Sequence, residues 1–136
     1  MMLPTKPAMY NLILMTLITI FSCSSPKPII GNEIKYIAFG NGGGFVGIET
    51  KYTLNTEGTL TKIFNKDTTI IKSIDKTEAA TLLKAAMAFK TYRYFKPDNL
   101  YQFIEIEGNR IVWSSNTDSL DNKITSLYTK LLTILK

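Results

Sequence analysis

Residues 48–64 read Ile48-Glu49-Thr50-Lys51-Tyr52-Thr53-Leu54-Asn55-Thr56-Glu57-Gly58-Thr59-Leu60-Thr61-Lys62-Ile63-Phe64. Ile48, Thr50, Tyr52 and Leu54 alternate with Glu49, Lys51 and Thr53. That period of two marks a strand with one face buried and one face wet. Asn55-Thr56-Glu57-Gly58 is a turn, and Thr59–Phe64 returns as the next strand. An antiparallel pair joined by a short turn therefore seeds the fold.

Working outward, Asn65-Lys66-Asp67 forms a further turn and Thr68–Lys72 a short strand. Upstream, Ile34–Phe39 is rich in β-branched and aromatic residues and reads as the first strand. Gly40-Asn41-Gly42-Gly43-Gly44 interrupts it as a flexible loop. Downstream the period changes. Asp75 stands as an N-cap with Glu78 three residues on. The spacing predicts a helix from Lys76 to about Thr91, with Ala79, Leu82, Leu83, Ala86 and Phe89 on one face. Pro97-Asp98-Asn99 closes a loop, Leu100–Ile106 is a strand, Gly108-Asn109 fits a two-residue hairpin turn, and Arg110–Ser114 pairs back. Asp118 or Ser119 is expected to cap a last helix with a stripe of Leu120, Ile124, Leu127, Tyr128, Leu131 and Leu135. The order β-β-β-β-α-β-β-α predicts an α+β domain. It is an antiparallel sheet of about five or six strands with two helices on one face.

The N-terminal segment has a different character. Leu12–Phe21 is apolar but much shorter than the roughly 20 residues needed to cross a bilayer. It matches the core of a signal peptide and ends at Ser22-Cys23, the only cysteine in the chain. Ile20, Ser22 and Cys23 resemble a lipobox, with Phe21 bulkier than usual at its position. This resemblance implies cleavage before Cys23, lipid (palmitate among its acyl chains) on that thiol, and anchoring to a membrane. The expected organisation is a signal peptide over 1–22, a lipidated tether over 23–32 and one domain over 33–136. No Asp follows the cysteine, so lipoprotein sorting rules imply an outer membrane lipoprotein facing the periplasm.

Composition narrows the chemistry. The chain has 136 residues, a net charge of +5 and no histidine. The charge is too mild to mark a nucleic-acid binder. Without histidine the commonest general base and metal ligand are missing. No cofactor or metal site is expected, and no catalytic set is evident.

Two stretches are candidate binding elements. Backbone N–H groups of Gly42, Gly43 and Gly44 can cradle phosphate, but Phe45 and a strand follow where a phosphate loop needs Lys and a helix. A bulged β-connection fits better. Tyr92, Arg93 and Tyr94 interleave rings and charge, a pattern that stacks on sugars or single-stranded nucleic acid. The plainer reading is a helix exit whose rings pack on the sheet. Glu105 and Glu107 are expected on one wet face of a strand, and Trp113 at the seam between sheet and helix. The role read from these features is a membrane-anchored binding module for an envelope protein, peptide or glycan. The alternatives are a small hydrolase using carboxylates such as Glu105 and Asp98, or an inhibitor of an envelope hydrolase.

Three stretches together carry a family resemblance: Gly42-Gly43-Gly44-Phe45-Val46-Gly47, Lys96-Pro97-Asp98-Asn99-Leu100-Tyr101, and Ile111-Val112-Trp113. They resemble small lipoproteins of the Bacteroidota that share a GGGF-G loop, a Pro-x-Asn strand entry and a late Trp. Asp98 and Ser114 stand where Gly is common in that group. The resemblance implies a lipoprotein and no particular activity. The element order also looks distantly like one half of the β-lactamase-inhibitor-like fold, an analogy of architecture.

Overall fold

The structure is a computed structural model that describes residues 33–136, apart from positions 115 and 118. These residues belong to one compact unit, Asn32–Lys136. The proposed signal peptide, Cys23 and the tether lie outside the described residues.

Four strands form a meander: β1 (Tyr36–Gly43), β2 (Ile48–Asn55), β3 (Thr59–Phe64) and β4 (Asp67–Ser73). Helix α1 (Lys76–Met87) carries the chain back to the far edge of the sheet. There β5 (Phe95–Lys96), β6 (Leu100–Ile106) and β7 (Asn109–Ser114) complete it, and α2 (Asn122–Thr133) ends the fold. The spatial order is β4-β3-β2-β1-β6-β7-β5. Every described pairing is antiparallel except β5 with β7. Among the described residues the architecture is the expected α+β sheet with two helices, with seven strands rather than five or six. The extra strand is the two-residue β5, too short to leave a periodic signal.

One face of the sheet is the core. Ile37 and Phe39 of β1, Leu54 of β2, Leu60 of β3, Ile104 and Ile106 of β6, and Ile111 and Trp113 of β7 form one cluster with Ala79, Leu82, Leu83 and Ala86 of α1 and Ile124, Leu127, Tyr128 and Leu131 of α2. Both helices therefore cover the same face. Each fully buried Phe, Leu or Ile contributes roughly 1.5–3 kcal/mol through removal from water. The Trp113 indole N–H donates to Gln102 Oε1 at 2.8 Å, and its ring meets Tyr128 edge-on at 5.2 Å.

Four boundaries differ from expectation. The first strand does not stop at Phe39 but continues through Gly40, Asn41, Gly42 and Gly43, paired on both sides by β2 and β6. Two pairing neighbours outweigh the poor strand propensity of glycine. The hairpin turn is Glu107-Gly108, both at positive φ (47° and 83°), with Ile106 opposite Asn109. That conformation is the two-residue turn whose twist suits a hairpin. Helix α1 ends at Met87, with Ala88 as its cap, rather than near Thr91. Asp121 caps α2, its carboxylate accepting from the Lys123 N–H at 2.8 Å, downstream of the expected Asp118 or Ser119.

Candidate functional site

The face of the sheet away from the helices has an unusual floor. Ala38, Gly40 and Gly42 of the central strand β1 share that face with Thr53, Lys51 and Glu49 of β2 and with Glu105, Phe103 and Tyr101 of β6. The stripe of small residues leaves a trough, and the neighbouring strands fill it. A Cβ on Gly42 would lie 2.5 Å from the Tyr101 hydroxyl, and one on Gly40 would lie 3.1 Å from Phe103 Cζ. The two β6 rings thus lie over glycine backbone, a known way to cover glycine in a sheet.

A charged layer closes over these rings. The Arg110 guanidinium sits 3.9 Å from the Phe103 ring centroid and pairs with the Glu49 carboxylate. Glu49 also accepts from the Tyr101 hydroxyl at 2.8 Å. Beside them Lys51 pairs with Glu105 at 3.1 Å. Burial, and then the hydrogen bond to Glu49, pushes the Tyr101 phenol above its ordinary value. It therefore stays protonated and donating at neutral pH. Phe103 is fully buried although it faces away from the helices, because Arg110 covers it. Both carboxylates are engaged by cations, so the arrangement stitches β2, β6 and β7 together across β1.

The hairpin end of the sheet is built otherwise. Gly43, Gly44 and Gly47 all have positive φ (104°, 78° and 63°), which lets the chain reverse in a short turn. The Gly47 N–H donates to Gly44 O at 3.1 Å, and the Gly44 N–H donates to Asn99 O at 2.7 Å, tying the hairpin to the entry of β6. The turn lifts Phe45 and Val46 clear of the domain. Phe45 is fully exposed, Val46 is 76% exposed and Leu100 61%. Ile48 and Phe64 are exposed at the same end, since Gly43 pairs with Ile48 and Leu100, and Thr50 pairs with Phe64. Three chain segments thus leave apolar side chains exposed at one end of the sheet.

The second candidate stretch is elsewhere. Tyr92 packs edge-on against Phe89 at 6.3 Å. The Tyr94 hydroxyl is 2.7 Å from Ser119 Oγ, and Lys96 Nζ stands 5.5 Å from the Tyr94 ring centroid. Arg93 is exposed. Tyr92 lies beside Asn109 at the start of β7, whereas Gly43 and Leu100 lie beyond Ser114 at its end. Gly42, Gly43, Gly44 and Phe45 are thus not brought together with Tyr92, Arg93 and Tyr94.

Glu105 and Glu107 do not share one face. The positive φ at Glu107 turns it out of the strand, where it pairs with Lys90 at 2.6 Å and accepts from the Lys35 N–H at 3.2 Å. These partners, the Lys90 hydrogen bond foremost, hold its carboxyl below the usual range. Asp98 precedes β6 at the hairpin end, and Glu105 lies near the other end of that strand. An open cleft of about 530 Å³ also lies at that other end, lined by Ile34, Thr56, Leu83, Lys84 and Met87 among others. Among the described residues Glu33 is its only acidic lining residue.

No protein-family model matches the chain, and a search of curated proteins finds no match. The reading of function therefore rests on residues and geometry alone. Exposure of Ile48, Phe64 and Leu100 was the part least visible in the sequence. Each belongs to a periodic strand, and only the strand order shows that their ends meet.

Proposed function

We propose that this chain is an exported lipoprotein, anchored to a membrane through Cys23, whose domain serves as an interaction module in the cell envelope. The observation that carries the reading is the position of the sole thiol, directly after an apolar run too short to span a bilayer. Lipid on that thiol gives an unpaired cysteine in an exported chain a purpose. The contact surface of the module is the hairpin end of the sheet, with Phe45 and Val46 at its tip. An exposed Phe and Val held on a glycine turn contribute nothing to the core and offer apolar area to a partner.

The mass of the protein isolated from its native membrane tests the anchor. The expected mass lacks residues 1–22 and carries a diacylglyceryl group and an N-acyl chain on Cys23. Material that retains Met1 and a free thiol overturns the reading. The outer membrane's periplasmic side is the expected location, checked by separating the two membranes and probing protease access from outside.

A further inference from the structure

We infer that the Phe45–Val46 hairpin end is a lipid-contacting surface, inserting into the interfacial layer of a phospholipid bilayer. The inference deepens the lipoprotein reading and rests on it for the nearness of a membrane. Three observations carry it.

First, Phe45, Val46, Ile48, Phe64 and Leu100 are all exposed at one end of the sheet, with Phe45 fully exposed at the tip of its hairpin. A projecting apolar tip suits a fluid layer, which needs no preformed complementary pocket. Secondly, the polar surroundings suit an anionic lipid surface. Lys62 Nζ stands 5.6 Å from the Phe64 ring centroid, Lys66 occupies the adjacent β3–β4 turn, and Lys96 ends the edge strand beside the 97–99 loop. Lys62, Lys66 and Lys96 belong to none of the ion pairs among the described residues. Among the described residues the acidic groups at this end are Glu49, Asp67 and Asp98, and Asp67, exposed beside Lys66, offsets part of the lysine charge. Arg110 and Tyr101 hold Glu49, and Asp98 turns back to accept from the Asn99 N–H at 2.7 Å. Apolar tip residues backed by lysines follow the pattern of interfacial anchoring.

Thirdly, the dimensions permit it. The eight residues of β1 place the tip roughly 25 Å from the strand's start. A tether over residues 23–32 extends to roughly 30 Å, so the hairpin can touch the membrane that holds the lipid.

The test uses the full chain with Cys23→Ser, so that an introduced cysteine is the only thiol. An environment-sensitive fluorophore (NBD) is placed on Leu100→Cys in one sample and on Glu57→Cys, in the turn at the opposite end, in another. Vesicles of phosphatidylethanolamine with phosphatidylglycerol are expected to brighten and blue-shift the label at position 100 and leave that at 57 unchanged. A lipid-borne quencher at shallow depth then quenches the first label only. Adding Phe45→Ser and Val46→Ser lowers the partition read at position 100 by about tenfold or more, the effect of removing two apolar side chains from the contact. Pure phosphatidylcholine vesicles report the share due to the lysines. A dark label at position 100, or equal response at 57, overturns the inference. Neither outcome touches the acylation of Cys23, which the native mass decides separately.

Discussion

Gly40 shows how much one residue can decide. A Cβ there would lie 2.0 Å from the Thr50 carbonyl oxygen, a distance no relaxation of a flexible side chain relieves because the obstacle is backbone. Gly40→Ala is therefore expected to destabilise the domain by at least about 3 kcal/mol. Gly47 provides the contrast. It has open space around its missing Cβ but a φ of 63°, so Gly47→Ala should cost only about 1 kcal/mol. Urea melts of the two variants check the ordering, and near-equal losses would contradict the close backbone approach. Phe45→Ser should leave the melt unchanged, since Phe45 is fully exposed. The Gly40 role was not legible beforehand, whereas a β-connection through the glycines already calls for positive φ at a residue such as Gly47. The Gly40–Gly44 stretch reads as a loop because glycine weakens strands, and only pairing with distant Phe103 and Tyr101 makes it sheet.

At the scale of elements, the strands with clean alternation were readable and the joints were not. Ile48–Asn55 carries a period of two, and the α2 stripe of Ile124, Leu127, Tyr128 and Leu131 carries a helical one. The end of α1 depends on a residue from another element. The Asn109 side-chain amide donates to Lys90 O at 3.0 Å and to Tyr92 O at 2.8 Å, with a longer contact to Phe89 O at 3.4 Å. Beside a glycine, Asn109 looks like a turn residue, but it satisfies carbonyls left open where the helix exits. Asn109→Ala should cost about 1–2 kcal/mol through those unsatisfied groups. It should also speed hydrogen exchange in residues 88–92 more than in β1. Uniform acceleration across the sheet would count against a local capping role. The β3–β4 edge is similarly guarded by context. A bulge between Leu60 and Thr61 shifts the β4 register, and Lys66 and Lys72 flank Ile70 and Ile71. Bulges and lysines both discourage edge-to-edge pairing.

For the whole molecule, one hydrogen bond links the last helix to the central strand and makes stability depend on pH. The buried Tyr128 hydroxyl on α2 donates to Gly40 O at 2.9 Å, eighty-eight residues away in sequence. Burial pushes its phenol up to about 12 from an ordinary 10.0. A pKa raised on folding means the unfolded chain ionises first. The contribution is whole below pH 10 and is lost as pH climbs from about 10 towards about 12, a loss of roughly 3 kcal/mol in all. Tyr101, also raised, adds to the same alkaline decline. At the acid end the sign reverses. Asp75, held low chiefly by the Thr77 N–H, and Glu107, held low chiefly by Lys90, stabilise the fold above their ordinary values of 3.8 and 4.5. That support fades as pH falls through their folded values. Tyr128→Phe isolates the buried phenol. At pH 7 it leaves Gly40 O without its donor and should lower stability by about 1 kcal/mol. It should also remove part of the alkaline slope, so that the two stability curves converge above pH 10 and then cross. Parallel curves across that range would show that the Tyr128 phenol is not protected from ionisation and that α2 docks on β1 without it.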